Sequence, residues 1–167
     1  MKGGKRMEIY LMQHGRALPK EEDPDEGLSP EGKERIHRSG KALKKMGIGF
    51  DAILVSTKKR SKQTAVIIAE EVGFPVEKII ETDKVKAMTP PEETVQVLAE
   101  LSGYKKILIA GHLPSLAEVA SSLLTDGSKA TVEFKNGGCC RIDVEEFPTH
   151  TGRLKWYLTP EQLNLMI

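Results

Sequence analysis

Hydrophobic and polar positions along the chain fall into two textures. In the first two thirds, short unbroken apolar runs alternate with stretches of helical period. Residues 9–12, 53–55 and 107–110 are continuous apolar runs, the pattern of strands buried on both faces. Residues 76–80 read as a further strand. Between these runs lie helices with recognisable starts. Ser29 is placed as an N-cap and Pro30 at the first helical position. Ile36, Gly40, Leu43 and Gly47 then recur at helical spacing until the glycines at 47 and 49 end the stripe. A second helix runs on from about Lys58, with Ala65, Ile68 and Val72 facing inward. Thr89, Pro90 and Glu92 read as a capping box opening a third, whose buried stripe is Val95, Leu98 and Leu101. Pro114 begins a fourth, with Leu116, Val119 and Leu123 inward.

The second texture has period two. Cys140, Ile142 and Val144 alternate with Arg141, Asp143 and Glu145, and Leu154, Trp156 and Leu158 alternate with Lys155 and Tyr157. Alternation of this kind predicts half-exposed strands, joined here by a turn over residues 148–152. Four βα units ending in a hairpin predict a three-layer α/β/α fold: an open, mostly parallel sheet with antiparallel edge strands. No internal repeat or linker divides residues 1–167, so one domain is expected.

Composition narrows the function classes. The net charge is +1, so nothing global points to nucleic acid or an anionic membrane surface. No apolar run is long enough to cross a bilayer. A basic start, Met1 to Arg6, is followed by no apolar signal core, and the only cysteines, Cys139 and Cys140, are adjacent. Both point to a cytoplasmic protein with reduced thiols. Oligomeric state is not legible.

The candidate chemistry lies where apolar runs stop. The first run ends in Gln13-His14-Gly15-Arg16 and the fourth in Gly111-His112-Leu113-Pro114. Ligands bind beyond the carboxyl ends of parallel strands, so both imidazoles are expected at one edge. The segment after the second run, Ser56-Thr57-Lys58-Lys59-Arg60-Ser61-Lys62, belongs to the same edge. Its cations crowd a helix N-terminus, which already carries partial positive charge; an anion held there would reverse the cost. The lysines read equally as a solvated basic face, whereas the planar fork of Arg60 suits a bidentate grip on phosphate.

These residues resemble the histidine phosphatase superfamily, and within it the short SixA-like phosphohistidine phosphatase branch. Gln13-His14-Gly15 stands where the family has arginine-histidine-glycine. Ser56 to Ala65 is similar to the branch's serine, arginine and glutamine-threonine segment. Gly111-His112-Leu113-Pro114 matches its glycine-histidine-x-proline, Leu28-Ser29-Pro30-Glu31-Gly32 its helix start, and Trp156 to Pro160 its closing segment. The match runs from about Glu8 to Pro160.

The resemblance implies that His14 is the nucleophile, forming a phosphohistidine enzyme that water then hydrolyses. It implies that Arg60 and His112 bind the phosphoryl oxygens, with Gln13, Gly15 and Arg16 lining the phosphate site and with neither a metal nor another cofactor. The implied substrate is phosphohistidine on a protein or a small phosphorylated molecule. One residue departs from the pattern: Gln13 carries no charge where the family has an arginine. A hydrogen bond to a charged group contributes about 1.5–3 kcal/mol, or roughly 10- to 150-fold in rate or affinity. Arg16 is placed either to restore that charge or to line the rim. Two readings follow, an active phosphatase and a degenerate one that binds phosphate or phosphohistidine without useful turnover. The leaving-group acid has no convincing motif among Glu81, Asp83, Glu92 and Glu93.

Overall fold

The computed structural model describes residues 6–127, 129–147 and 149–167. One sheet organises them. Its strands are β1 (Met7–Gln13), β2 (Ala52–Val55), β3 (Ile80–Glu81), β4 (Lys106–Gly111), β5 (Cys139–Val144) and β6 (Arg153–Leu158). Their spatial order is β3-β2-β4-β1-β5-β6. The first four are parallel, and β5 and β6 join antiparallel beside β1. This is the expected mostly parallel sheet with antiparallel strands at one side.

Helices cover both faces. On one, α1 (Pro30–Lys45) and α2 (Lys59–Val72) bury Ile36, Leu43, Ala65 and Ile68 against Tyr10, Met12, Ile53 and Leu108, joined by Leu163 of α5 (Pro160–Asn164). On the other, α3 (Pro91–Glu100) and α4 (Ser115–Leu124) bury Leu98, Leu116, Val119 and Leu123 against Ile9, Leu11, Leu54 and Ile109. The middles of the central strands, residues 9–12, 53–55 and 107–110, are therefore continuously apolar, because neither face meets water. No described helix is long and apolar enough to cross a membrane.

Local rules explain most boundaries. Ser29 Oγ accepts from the Gly32 N–H at 2.9 Å, with Pro30 at the first turn, as expected of that cap. The end of α2 is set by Gly73 in the left-handed conformation, φ 79°. Thr159 and Gln162 form a reciprocal capping box for α5, which the sequence reading did not single out.

Several expectations are corrected. Residues 76–80 are not one strand: Val76–Lys78 is a 3-10 turn after Pro75, and only Ile80–Glu81 pairs with β2. The segment lies at the sheet edge with Val76 and Ile80 exposed, so its apolar residues have no second layer to enforce extension. Thr89 does not cap α3. Its hydroxyl donates to the Asp83 carbonyl at 2.9 Å, and the helix starts at Pro91 with Pro90 as an N-cap that lacks a side-chain bond.

Strand β5 is not half-exposed, because it sits between β1 and β6. Asp143 is only 5% exposed, and its carboxylate is answered by Arg141 at 2.8 Å and by Arg6. Cys139 and Cys140 are both buried free thiols on this strand. A bulge between Arg141 and Ile142 shifts the pairing with β6, so Arg141 faces Trp156 but Ile142 faces Leu154. The extra residue breaks the alternation and leaves Leu154 exposed. The expected turn over residues 148–152 includes Pro148, and the basic start includes Met1 to Lys5; these lie outside the described residues.

Candidate active site

Register alone brings the two histidines together. Gln13 on β1 pairs with Gly111 on β4, so the next residue of each strand, His14 and His112, leaves the sheet side by side. Val55 on β2 pairs with Ala110, which places Ser56 at the same edge. The imidazole centroids are 5.0 Å apart with their planes inclined at 57°. The start of α2 then delivers Arg60, whose Nε–H donates to His14 Nε2 at 3.3 Å. The three residues singled out from sequence thus form one cluster.

Hydrogen bonding fixes the state of His14. Its Nδ1 lies 2.7 Å from the Gly15 carbonyl oxygen, which can only accept, so Nδ1 carries the ring proton. Nε2 is then the bare nitrogen, as its contact with a guanidinium donor also requires. Burial is the main force holding the His14 pKa below 6.5; the Arg60 charge adds to it, while the Gly15 bond and the Glu26 charge oppose it. Glu26 belongs to the acidic loop before α1 and is held at φ 50°.

His112 is 2% exposed, and its Nε2 lies 2.6 Å from Ser56 Oγ. The Ser56 oxygen already accepts from the Lys58 N–H at 3.2 Å. No other acceptor takes the hydroxyl proton among the described residues, so Ser56 donates to His112. The Nδ1–H of His112 remains as a donor for an anion. Burial, followed by the charges of His14, Arg60 and Lys58, drives the His112 pKa down to about 3.

Thr64 ties the Gly15 backbone to the start of α2. Its hydroxyl accepts from the Gly15 N–H at 3.0 Å and donates to the Arg60 carbonyl at 2.8 Å. Asn136, in the turn before β5, donates its Nδ2–H to the His14 carbonyl at 3.0 Å. Ser56 and Thr64 stand inside a recognised motif, but nothing in the sequence assigns them these partners. Asn136 carries only the turn signal of Asn-Gly-Gly.

A cleft of about 450 Å³ opens beside the cluster, lined by Gln13, Gly15, Arg16, Leu113, Lys135 and Asn136 among others. Gln13 is half-buried, and its Oε1 is buried without a hydrogen-bond partner. Arg16 lies exposed on the cleft wall, and its charge is not among those that shift His14 or His112. In the unliganded protein Arg16 therefore lines the rim of the cleft. None of the four acidic residues considered from sequence lines this cleft. Glu81 pairs with Lys62, Asp83 with Lys86 and Glu93 with Lys84, while Glu92 lines a separate groove.

A half-buried neutral histidine with one unprotonated nitrogen, flanked by a guanidinium and a second imidazole, is equipped to attack a phosphoryl group and hold its oxygens. Residues 9–84, which contain His14, Ser56 and Arg60, match the family described as histidine phosphatase superfamily (branch 1). The matched segment, a little under half of the chain, is similar to the histidine phosphatase superfamily.

Similarity to known proteins extends beyond the matched segment. An uncharacterised protein of Picosynechococcus sp. is 26% identical, over 92% of this chain and 96% of its own length. The mitochondrial serine/threonine-protein phosphatase Pgam5 of Drosophila yakuba is 28% identical over 80% of this chain. The chain spans only 41% of that phosphatase's length. Among solved structures, the protein histidine phosphatase SixA complexed with tungstate superposes with a TM-score of 0.84 at 21% identity, covering 94% of this chain and 99% of that one. At that identity the likeness is one of fold.

Proposed function

We propose that this protein is a histidine-phosphatase-like, metal-independent phosphatase that works through a covalent phosphohistidine on His14. The observation that carries the reading is the pair of bonds on one ring: Nδ1–H to the Gly15 carbonyl and Nε2 facing Arg60. Substrate entry transfers the Arg60 donors from Nε2 to phosphoryl oxygens. The Nε2 lone pair then forms a bond to phosphorus as the bond to the leaving group breaks. Arg60 and the Nδ1–H of His112 meet the charge spread over the equatorial oxygens. Water next attacks phosphorus, the P–Nε2 bond breaks, phosphate departs and a water proton passes to solvent.

The substrate class proposed is phosphohistidine carried by a protein, or another small phosphorylated group. Once its distal nitrogen is protonated, the imidazole of a phosphohistidine leaves as a neutral ring, so it needs less help from an enzyme acid than an alkoxide does. A phosphoramidate turnover assay tests the reading. His14→Ala should abolish activity, activity should survive chelation of metals, and unchanged turnover in H14A would overturn the assignment.

Gln13 supports a second reading, a degenerate phosphatase that binds phosphate or phosphohistidine without useful turnover. Its amide is uncharged, and its buried oxygen has no partner. Gln13→Arg separates the two. A large gain in turnover supports degeneration, and no gain supports an active enzyme whose charge is supplied from elsewhere.

A further inference from the structure

The basic start of α2 is resolved by the structure into residues with and without partners. Lys59 pairs with Asp23 at 3.0 Å, and Lys62 pairs with Glu81 at 2.9 Å. Arg60 is turned onto His14. Lys58, the N-cap residue, has no acidic partner among the described residues, and its side chain makes no cap bond. Two hydrogen bonds place it beside the second histidine: its N–H donates to Ser56 Oγ, and Ser56 Oγ contacts His112 Nε2. Lys58 is exposed, and an ammonium at the positive end of a helix gains stabilisation when an anion arrives there.

We propose that Lys58 is a third cation of the phosphoryl pocket and supplies the charge that Gln13 lacks. The proposal rests on the phosphatase reading for its ligand, a tetrahedral oxyanion. Lys58 stands between β2 and α2, whereas the family arginine stands at the end of β1. The charge is therefore relocated to the His112 side of the anion. The electrostatics agree: Lys58 is among the charges that depress the His112 pKa, and Arg16 is not. Lys135, also on the cleft with Arg16, is likewise absent from that set.

Calorimetric titration of the full chain with tungstate, at low ionic strength and pH 7.5, tests this without needing turnover. Lys58→Gln should weaken binding by roughly tenfold or more, the scale of a lost charge-assisted hydrogen bond, and should reduce the salt dependence. Lys58→Arg should keep most of the affinity. Lys62→Gln, whose ammonium is engaged by Glu81, should bind as the wild type does. Wild-type affinity in K58Q, or a loss confined to Arg16→Gln, would overturn the proposal. A wild type that binds tungstate yet leaves phosphoramidate intact would sink the phosphatase reading alone, with Lys58 still judged by K58Q. A wild type that binds no tungstate would overturn both.

Discussion

Arg60 directs its Nε–H onto Nε2 of His14 across 3.3 Å, so in the free protein the guanidinium occupies the lone pair that nucleophilic attack requires. Under the proposed mechanism, the contact stores His14 as a neutral base and keeps the Arg60 cation within one side-chain movement of a phosphoryl group. Arg60→Ala removes both effects. Phosphoramidate turnover should fall by about 10²- to 10³-fold, the scale seen when one transition-state donor is lost. NMR titration should show the His14 pKa rising, because the Arg60 charge helps to lower it. A fall in turnover with an unmoved His14 titration would place Arg60 away from the ring in solution.

Ser56 holds His112 in the tautomer that leaves Nδ1–H free, and it is itself fully buried. Ser56→Ala leaves the Lys58 N–H and His112 Nε2 without their shared partner. We expect a stability loss of about 1–3 kcal/mol, the cost of an unsatisfied buried polar group, measured by urea unfolding. Tungstate affinity should fall in the same variant, because the imidazole is then free to present its acceptor nitrogen to the anion.

Gly15 is required by space rather than by backbone conformation. A Cβ there would lie 2.7 Å from Ile36 Cγ1 and 3.2 Å from Leu28 Cδ2. Gly15→Ala should destabilise the protein by about 1–3 kcal/mol through overpacking. It should also displace the carbonyl that holds His14 Nδ1, so turnover falls in protein that remains folded. Unfolding and activity measured on one preparation check both.

Acid should destabilise the fold through its histidines before its carboxylates protonate. The His112 pKa drops from 6.5 to about 3 on folding, and that of His14 is also lowered. Between those values the unfolded chain binds a proton that the native protein refuses. The stability contribution is therefore complete above about pH 6.5 and is lost as pH falls toward 3. For His112 the slope approaches about 1.4 kcal/mol per pH unit, or about 2 kcal/mol between pH 6.5 and 5. Urea midpoints across that window should fall in the wild type and fall less in His112→Gln. Saturating phosphate should flatten the wild-type slope, since a bound anion favours the charged imidazole.

Much of this protein was legible in one dimension because its chemistry sits where hydrophobic runs end. The unbroken apolar stretches of β1, β2 and β4 could only be doubly covered strands, and parallel strands share a carboxyl edge. His14, Arg60 and His112 were therefore predictable as neighbours. The legibility failed where a partner decides the local state. Residues 76–80 look like a strand but lie at an edge with nothing to enforce extension, and Asp143 looks exposed but is sheltered by two arginines. Thr89 looks like a cap but bonds elsewhere.

The order of hydrophobic runs, the helix starts and the residue types at each strand end were thus properties of the chain itself, since they depend on periodicity and local sterics. Tertiary structure alone decided which ring nitrogen of His14 is free, which cation of the α2 start lacks an acid, and that Arg16 stays on the rim. Protonation and pairing depend on distances of a few ångströms between residues far apart in sequence, and those distances exist only once the sheet sets its register.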